Sequence, residues 1–456
     1  MILSTTHIIV AVLAIVVPLF LGVRSANKVK NADDYNLGGR SAGSGMVCAS
    51  IMGTIIGGAA TMGTAQMGYS YGLTAWWFTL GCGLTVLIMA AFYACPLRLS
   101  GLTTISEFLV VNFGKKAGFL ASVSASAGMF FSVVASTLTA MNLCCSLFHI
   151  SPFMSGILVL VVVGGFVFFG GLSGSGMAGM FKMLFLALSV FVGGVLCYIW
   201  FGGWNGLRAS FPEYPWFSLF GQGTANGILT FVSTMVGVIS TQTYAQAIFS
   251  AKDSKTAVKG CLLSAMLTIP VGLPSVMIGM FMRTHHPDIN PIDALPLFLL
   301  NYLPDWLGGV GIAALILASL GGIAGIALGI STMFSWDIVR NLCKNPSGSL
   351  LLWVSRIGVM VTSFIAIVFV FFNMNSGVLQ WNYLSMALRG SGIFLPLTFC
   401  VFFPHRVEPV YGLLSMAAGI FVGLTWKFIG IPGVHALIPA LTLNLVFLVV
   451  GMLKKG

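Results

Sequence analysis

Residues 44–71 read SGMVCASIMGTIIGGAATMGTAQMGYSY, an apolar run long enough to cross a bilayer that carries Gly53, Gly57, Gly58 and Gly63. About 20 apolar residues span a hydrocarbon core of about 30 Å, so the stretch reads as a membrane helix with a glycine-rich interruption. Unwound backbone at membrane depth is tolerated only where it lines a cavity, and paired interruptions in two halves of a chain mark a transport site. The same signature returns at Leu320-Gly321-Gly322-Ile323-Ala324-Gly325 in the run 307–335. The run 226–249 is unusually polar, with Thr230, Ser233, Thr234, Ser240, Thr241, Gln242, Thr243, Tyr244 and Gln246. All three runs are expected to break.

The rest of the chain agrees with a membrane protein. Of 456 residues, 58% are hydrophobic and 7% charged, with 21 basic and 10 acidic side chains. Soluble domains carry about 25% charged residues, so a soluble enzyme, a nucleic-acid binder and a disordered tail are excluded. Apolar runs between polar breaks give about thirteen spans: 4–23, 44–71, 74–95, 118–147, 153–171, 175–200, 226–249, 259–282, 307–335, 349–373, 382–403, 409–427 and 434–453. No basic residue precedes the first run, while Arg24, Lys28 and Lys30 follow it, the reverse of a secretory signal. With the N-terminus outside, sixteen basic residues fall on the inner side and Arg208, Arg283 and Lys427 on the outer. The net charge of +11 is therefore read as orientation in the cytoplasmic membrane, with the C-terminus inside, and not as affinity for nucleic acid. The nine cysteines form neither a disulfide framework nor a metal motif, and they read as small apolar residues.

Two basic residues remain, Lys182 in the sixth run and Arg389 in the eleventh, and every carboxylate falls in a loop or at a span end. A charge at membrane depth costs a few kcal/mol and marks function by default.

Short motifs then give the chain a family. Tyr35-Asn36-Leu37-Gly38-Gly39-Arg40-Ser41, Gly68-Tyr69-Ser70-Tyr71-Gly72, Thr103-Thr104-Ile105-Ser106-Glu107-Phe108, Ser250-Ala251-Lys252-Asp253 and Leu295-Pro296 through Asp337-Ile338 resemble, in order and spacing, the sodium:solute symporters. The resemblance, over roughly residues 30–410, implies an all-α polytopic fold of the leucine-transporter type, in the amino acid–polyamine–organocation superfamily. It implies a five-plus-five inverted repeat: an extra helix and loop in 1–43, repeats in 44–200 and 201–404, and two helices in 405–456. It implies alternating access around a midplane site.

The family's sodium ion is held by carbonyls that map to Gly53, Ile56 and Ala318, and by paired hydroxyls that here fall on Gly321 and Gly322. The family's Gly-Gly-Leu…Thr-Asp…Gln stretch reads Gly170-Gly171-Leu172…Ala178-Gly179…Lys182. A hard cation needs about five or six oxygens. Two hydroxyls and a carboxylate are missing and an ammonium is added, so sodium is not expected at this site, nor any cofactor or metal. Lys182 is expected to take the ion's place, and if it titrates, to couple transport to protons. The competing reading has it snorkelling to the inner interface.

The resemblance also maps a solute cavity onto Ala60, Trp76, Phe78, Thr79, Cys82, Thr234, Gly237, Val238 and Tyr383. Arg389 either pairs with a solute carboxylate or donates to carbonyls of a neighbouring unwound helix. Buried positive charge without acid disfavours a cationic solute, and polar groups for a sugar are sparse. The expectation is a secondary transporter, not an enzyme, whose partners are the bilayer and a small carboxylate or amino acid. Its oligomeric state is left open. Two alternatives stand beside it: a sodium symporter using Ser319, Ser331 or Thr332, and a transport-like solute sensor that would need a separate signalling partner.

Overall fold

A computed structural model describes residues 4–24, 40–165, 182–343, 346–429 and 435–455, and among these it is all-helical. The helices are α1 (Thr5–Arg24), α2 (Ser44–Ile55), α3 (Thr64–Tyr71), α4 (Trp77–Ile88, prolonged through a π-turn to Leu99), α5 (Ile105–Phe113), α6 (Lys115–Phe148), α7 (Pro152–Val163), α8 (Val192–Trp200), α9 (Thr224–Ile239), α10 (Gln242–Phe249), α11 (Ser254–His285), α12 (Ala294–Asn301), α13 (Asp305–Met333), α14 (Gly348–Phe371), α15 (Val378–Phe402), α16 (Pro409–Ile429) and α17 (Leu437–Lys455). Each of the thirteen apolar runs carries helix. Of the sixth run, the structure describes Lys182–Trp200.

Two of the three expected breaks are present. The run 44–71 unwinds where Ile56 leaves helical geometry at φ −84°, ψ 65°, and a π-turn over Ala59–Gly63 restarts it. The run 226–249 bends by 46° between α9 and α10. The third expectation is corrected. α13 runs unbroken for 29 residues and continues as a π-helix, Phe334–Val339. Its glycines serve close packing. A Cβ on Gly322 would meet Ser136 Oγ at 2.6 Å, and one on Gly325 would meet Thr54 Oγ1 at the same distance. A glycine pair in an apolar run reads identically whether it unwinds a helix or seats it against a neighbour.

Turn chemistry fixes the corners. Gly72 lies at φ 64°, and a Cβ there would stand 2.4 Å from Trp216 O, so only glycine joins α3 to the turn before α4. Thr104 N-caps α5 in a capping box with Glu107. Two groups of helices result: α11 packs on α2, α3 and α4, while α13 packs on α6, α14 and α1. The groups meet where α2 and α10 lie on α13, and α15 bridges α6, α9, α16 and α17. The outer faces of α1, α14 and α17 present large apolar side chains such as Leu13, Phe364 and Val446, as a lipid-facing surface requires.

Candidate ion and solute site

Lys182 begins the described part of its helix and is completely buried. Its Nζ donates to the carbonyl of Gly53, 2.6 Å away, in the last turn of α2 before the break. Gly321 faces the same point: a Cβ built there would sit 3.5 Å from Lys182 Nζ and 3.6 Å from Gly53 O. The structure thus brings together the ammonium, one of the carbonyls and one of the hydroxyl-less positions singled out in the sequence. Ala318 O lies 3.4 Å from a Cβ placed on Gly57, on the wall beside this point. Ile56 is fully buried at the break itself. Gly322 looks at Ser136 and Gly57. Gly179 and Ala178 lie outside the described residues, as do Tyr35–Gly39 of the first motif.

Arg389 is 1% exposed, on α15. Its Nε donates to Gly237 O at 2.9 Å, and its Nη1 donates to Ser385 Oγ at 2.7 Å and Ser132 Oγ at 3.2 Å. Gly237 O, three residues before the break at Ser240, also accepts from Thr241 Oγ1 at 2.6 Å. Ser385 Oγ continues to Gly128 O at 2.5 Å on α6. The guanidinium therefore ties the last turn of α9, just before the break, to α6 and α15, and gives the Gly237 carbonyl a second donor.

The other mapped positions divide into two sets. Phe78 stands edge-on to Tyr383, ring centroids 6.2 Å apart, and Cys82, one turn further along α4, is fully buried. Thr234 packs on Gly81, and Ala60 and Val238 are fully buried at the two breaks. Trp76 and Thr79 point elsewhere. Trp76 Nε1 donates to Ile269 O at 2.9 Å, and both side chains crowd Gly272 of α11.

A cavity of about 420 Å³ opens at the end of the bundle that carries Tyr71, Gln222, Pro291 and Gly377. Of the mapped solute positions, Tyr383 lines it. Its other polar lining had not been mapped to the solute: Gln66, Ser70, Gln222, Asn226, Gln380 and His435, together with Thr230 and Ser233 of the polar run. Three glutamines and an asparagine at the ends of runs in so apolar a chain were the available signal. Among the described residues of this lining there is no Asp, Glu, Lys or Arg. Ser233 Oγ and Tyr383 Oη, both buried, have no hydrogen-bond partner among the described residues. Such groups cost about 1–3 kcal/mol each unless a ligand or water satisfies them.

The opposite, basic end is shut. Ala42 N–H donates to Ser250 O at 3.0 Å and Lys252 N–H to Ala42 O at 3.1 Å, a two-bond bridge across the mouth. Arg98 donates to Ala251 O and, at 3.2 Å, to Lys252 O. Arg40 Nη1 donates to Gly101 O at 2.5 Å. The bridge bonds join the segment before α2 to the segment after α10, and Arg98 holds the latter, at the end opposite the cavity.

The sequence model of the sodium:solute symporter family matches residues 35–419. The chain belongs to the sodium:solute symporter family. It is 24% identical over 439 residues to the human high affinity choline transporter 1, covering 89% of this chain and 74% of that one. To the sodium/glucose cotransporter of Vibrio parahaemolyticus it is 26% identical over 382 residues, 74% of this chain and 70% of the relative. The substrate-bound outward-open structure of a Na+-coupled sialic acid symporter superposes with a TM-score of 0.82 at 20% identity, covering 99% and 97% of the two chains. The fold is that of the leucine-transporter-like symporters, and the protein is a multi-pass membrane transporter of this family, not an enzyme.

Proposed function

We propose that this transporter carries its solute without sodium, Lys182 standing in the ion's place as a tethered cation. The observation that carries the reading is the 2.6 Å bond from Lys182 Nζ to Gly53 O, opposite Gly321. An ammonium there supplies three N–H donors to carbonyls that would otherwise ligate an ion, and its charge excludes a second cation. A Lys182 that loses its proton during the cycle would couple transport to protons. The basic face, on this reading, is cytoplasmic.

The solute is a small carboxylate or amino acid. Lys182 and Arg389 place two positive charges at depth, and the cavity lining has no acid to balance a cation of the choline kind. Amide and hydroxyl side chains around the aromatic pair Phe78–Tyr383 suit a compact zwitterion.

The test is uptake into proteoliposomes over a panel of amino acids, carboxylates, choline and sugars, with sodium replaced by potassium. Uptake of an amino acid or carboxylate is expected at the same rate in both salts. A strict sodium requirement would refute the tethered-cation reading, and choline as the preferred solute would refute the charge argument. Once a solute is found, Tyr383→Phe and Ser233→Ala are each expected to raise its KM about 5- to 20-fold, as loss of one buried hydrogen bond does. Melting temperature should stay put, because neither hydroxyl is paired within the protein. Unchanged KM would place the solute elsewhere.

A further inference from the structure

We propose that Gln242 is the positioning residue that links the solute-site break to the gate at the basic face. Gln242 is the first residue of α10, immediately beyond the break, and is completely buried. Its amide grips the chain between α4 and α5 at two backbone points. Oε1 accepts from Ile105 N–H at 2.9 Å, and Nε2 donates to Thr103 O at 3.1 Å. A side-chain amide that reproduces a backbone pairing fixes both the distance and the orientation of the two segments.

That gripped loop is in turn anchored on the other helix group. Thr104 Oγ1 donates to Asp337 Oδ1 at 2.7 Å, and Ser122 Oγ of α6 donates to the second carboxylate oxygen. Asp337 is 8% exposed at the end of the α13 extension, so its carboxylate is held by buried hydroxyls. On the other side of Gln242, its chain neighbour Thr241 and Arg389 both donate to one acceptor: Thr241 Oγ1 and Arg389 Nε share the Gly237 carbonyl. Hydrogen bonds and single peptide links therefore connect Arg389 to Gly237, Thr241 and its neighbour Gln242, then to Thr103 and Ile105, and through Thr104 between them to Asp337.

The consequence is mechanical. A solute that reorients the break at 237–241 turns α10 and with it Gln242, which holds or releases the 103–105 loop and so the Ala42–Ala251 bridge beside it. The inference rests on alternating access but not on Lys182, so it survives a sodium-dependent result in the uptake assay.

The experiment is hydrogen exchange on the purified full-length protein in lipid nanodiscs, comparing the native chain with Gln242→Met. Methionine keeps the volume and removes both bonds. The readouts are the amides of Ala42 and Lys252, which close the basic-face bridge, against that of Gly223, bonded to Phe220 O at the opposite end. Losing two bonds of ordinary strength within a membrane bundle is expected to accelerate exchange at Ala42 and Lys252 about 5- to 10-fold and leave Gly223 unchanged. Unchanged exchange at the bridge, or an equal rise at both ends, overturns the proposal. Should Gln242→Met not yield folded protein, Thr104→Val cuts the same series from the Asp337 side, and the same three amides decide.

Discussion

Replacing Lys182 by methionine is expected to lower uptake about 10- to 100-fold while leaving the melting temperature unchanged or higher. The two effects separate because they have different origins. An ammonium withdrawn from water costs several kcal/mol, and exchanging a buried charge for an apolar group of similar volume is often neutral or stabilising. The Gly53 carbonyl, however, loses its donor at 2.6 Å, and an orphaned buried acceptor costs about 1–3 kcal/mol in whichever conformation buries it. The cycle then loses the balance between its two faces, and the rate falls with it. A residue of purely structural value would lose stability and uptake together. Full activity in Lys182→Met would end the tethered-cation reading.

The companion variant restores ligands. Gly321→Ser is sterically open, since its Cβ would lie 3.5 Å from Lys182 Nζ and 3.6 Å from Gly53 O. Gly322→Ser is not, because its Cβ would fall 2.6 Å from Ser136 Oγ. Combining Lys182→Gln with Gly321→Ser therefore adds two side-chain oxygens beside the Gly53 carbonyl without a clash at position 322. This double variant is expected to gain a sodium-dependent rise in melting temperature that the native chain lacks. No response to sodium in the double variant would mean that the point cannot be turned back into an ion site.

Arg389 carries the second large effect, and two substitutions split its roles. The fork holds Gly237, Ser385 and Ser132, while the charge acts on a carboxylate solute that comes near it. Arg389→Lys keeps the charge but cannot reproduce a planar fork with bonds in two directions. It is expected to cut Vmax about 10-fold with KM for a carboxylate solute nearly unchanged. Arg389→Gln removes both and is expected to raise that KM about 10-fold as well. Equal KM values in the two variants would leave Arg389 as a tie within the protein and remove its field from solute recognition.

How much of this was legible depends on which physical signal carried it. Each of the thirteen runs marked by hydropathy carries helix, and among the described residues nine helices, or ten with the bent pair, are long and apolar enough to cross a hydrocarbon core. The breaks at 56–58 and 240–241 were visible as glycine clustering and as hydroxyl and amide density. The same glycine signal misled at 320–325, where α13 is continuous and its glycines admit Thr54, Ser136 and the Lys182–Gly53 contact. Trp76 and Thr79, which the family resemblance maps to the solute, pack on α11. The cavity lining of Gln66, Gln222, Asn226 and Gln380 was invisible as a set, since these residues come from three segments each more than 150 positions from the next.

The sequence by itself determined that the chain lies in a membrane and that its apolar runs hold Lys182 and Arg389 while every carboxylate falls in a loop or at a span end, and the family resemblance added the expectation that two glycines stand where hydroxyls would be. Those are statements of residue type, and residue type fixes charge, ligand count and transfer cost without knowledge of position in space. Only the tertiary structure decided what each charge touches: Lys182 on the Gly53 carbonyl, Arg389 on Gly237 beside the break, and Gln242 between that break and the closed basic face. A hydrogen bond joins groups 129 or 152 residues apart as readily as neighbours, so its existence is set by how helices pack and not by the order in which they are written.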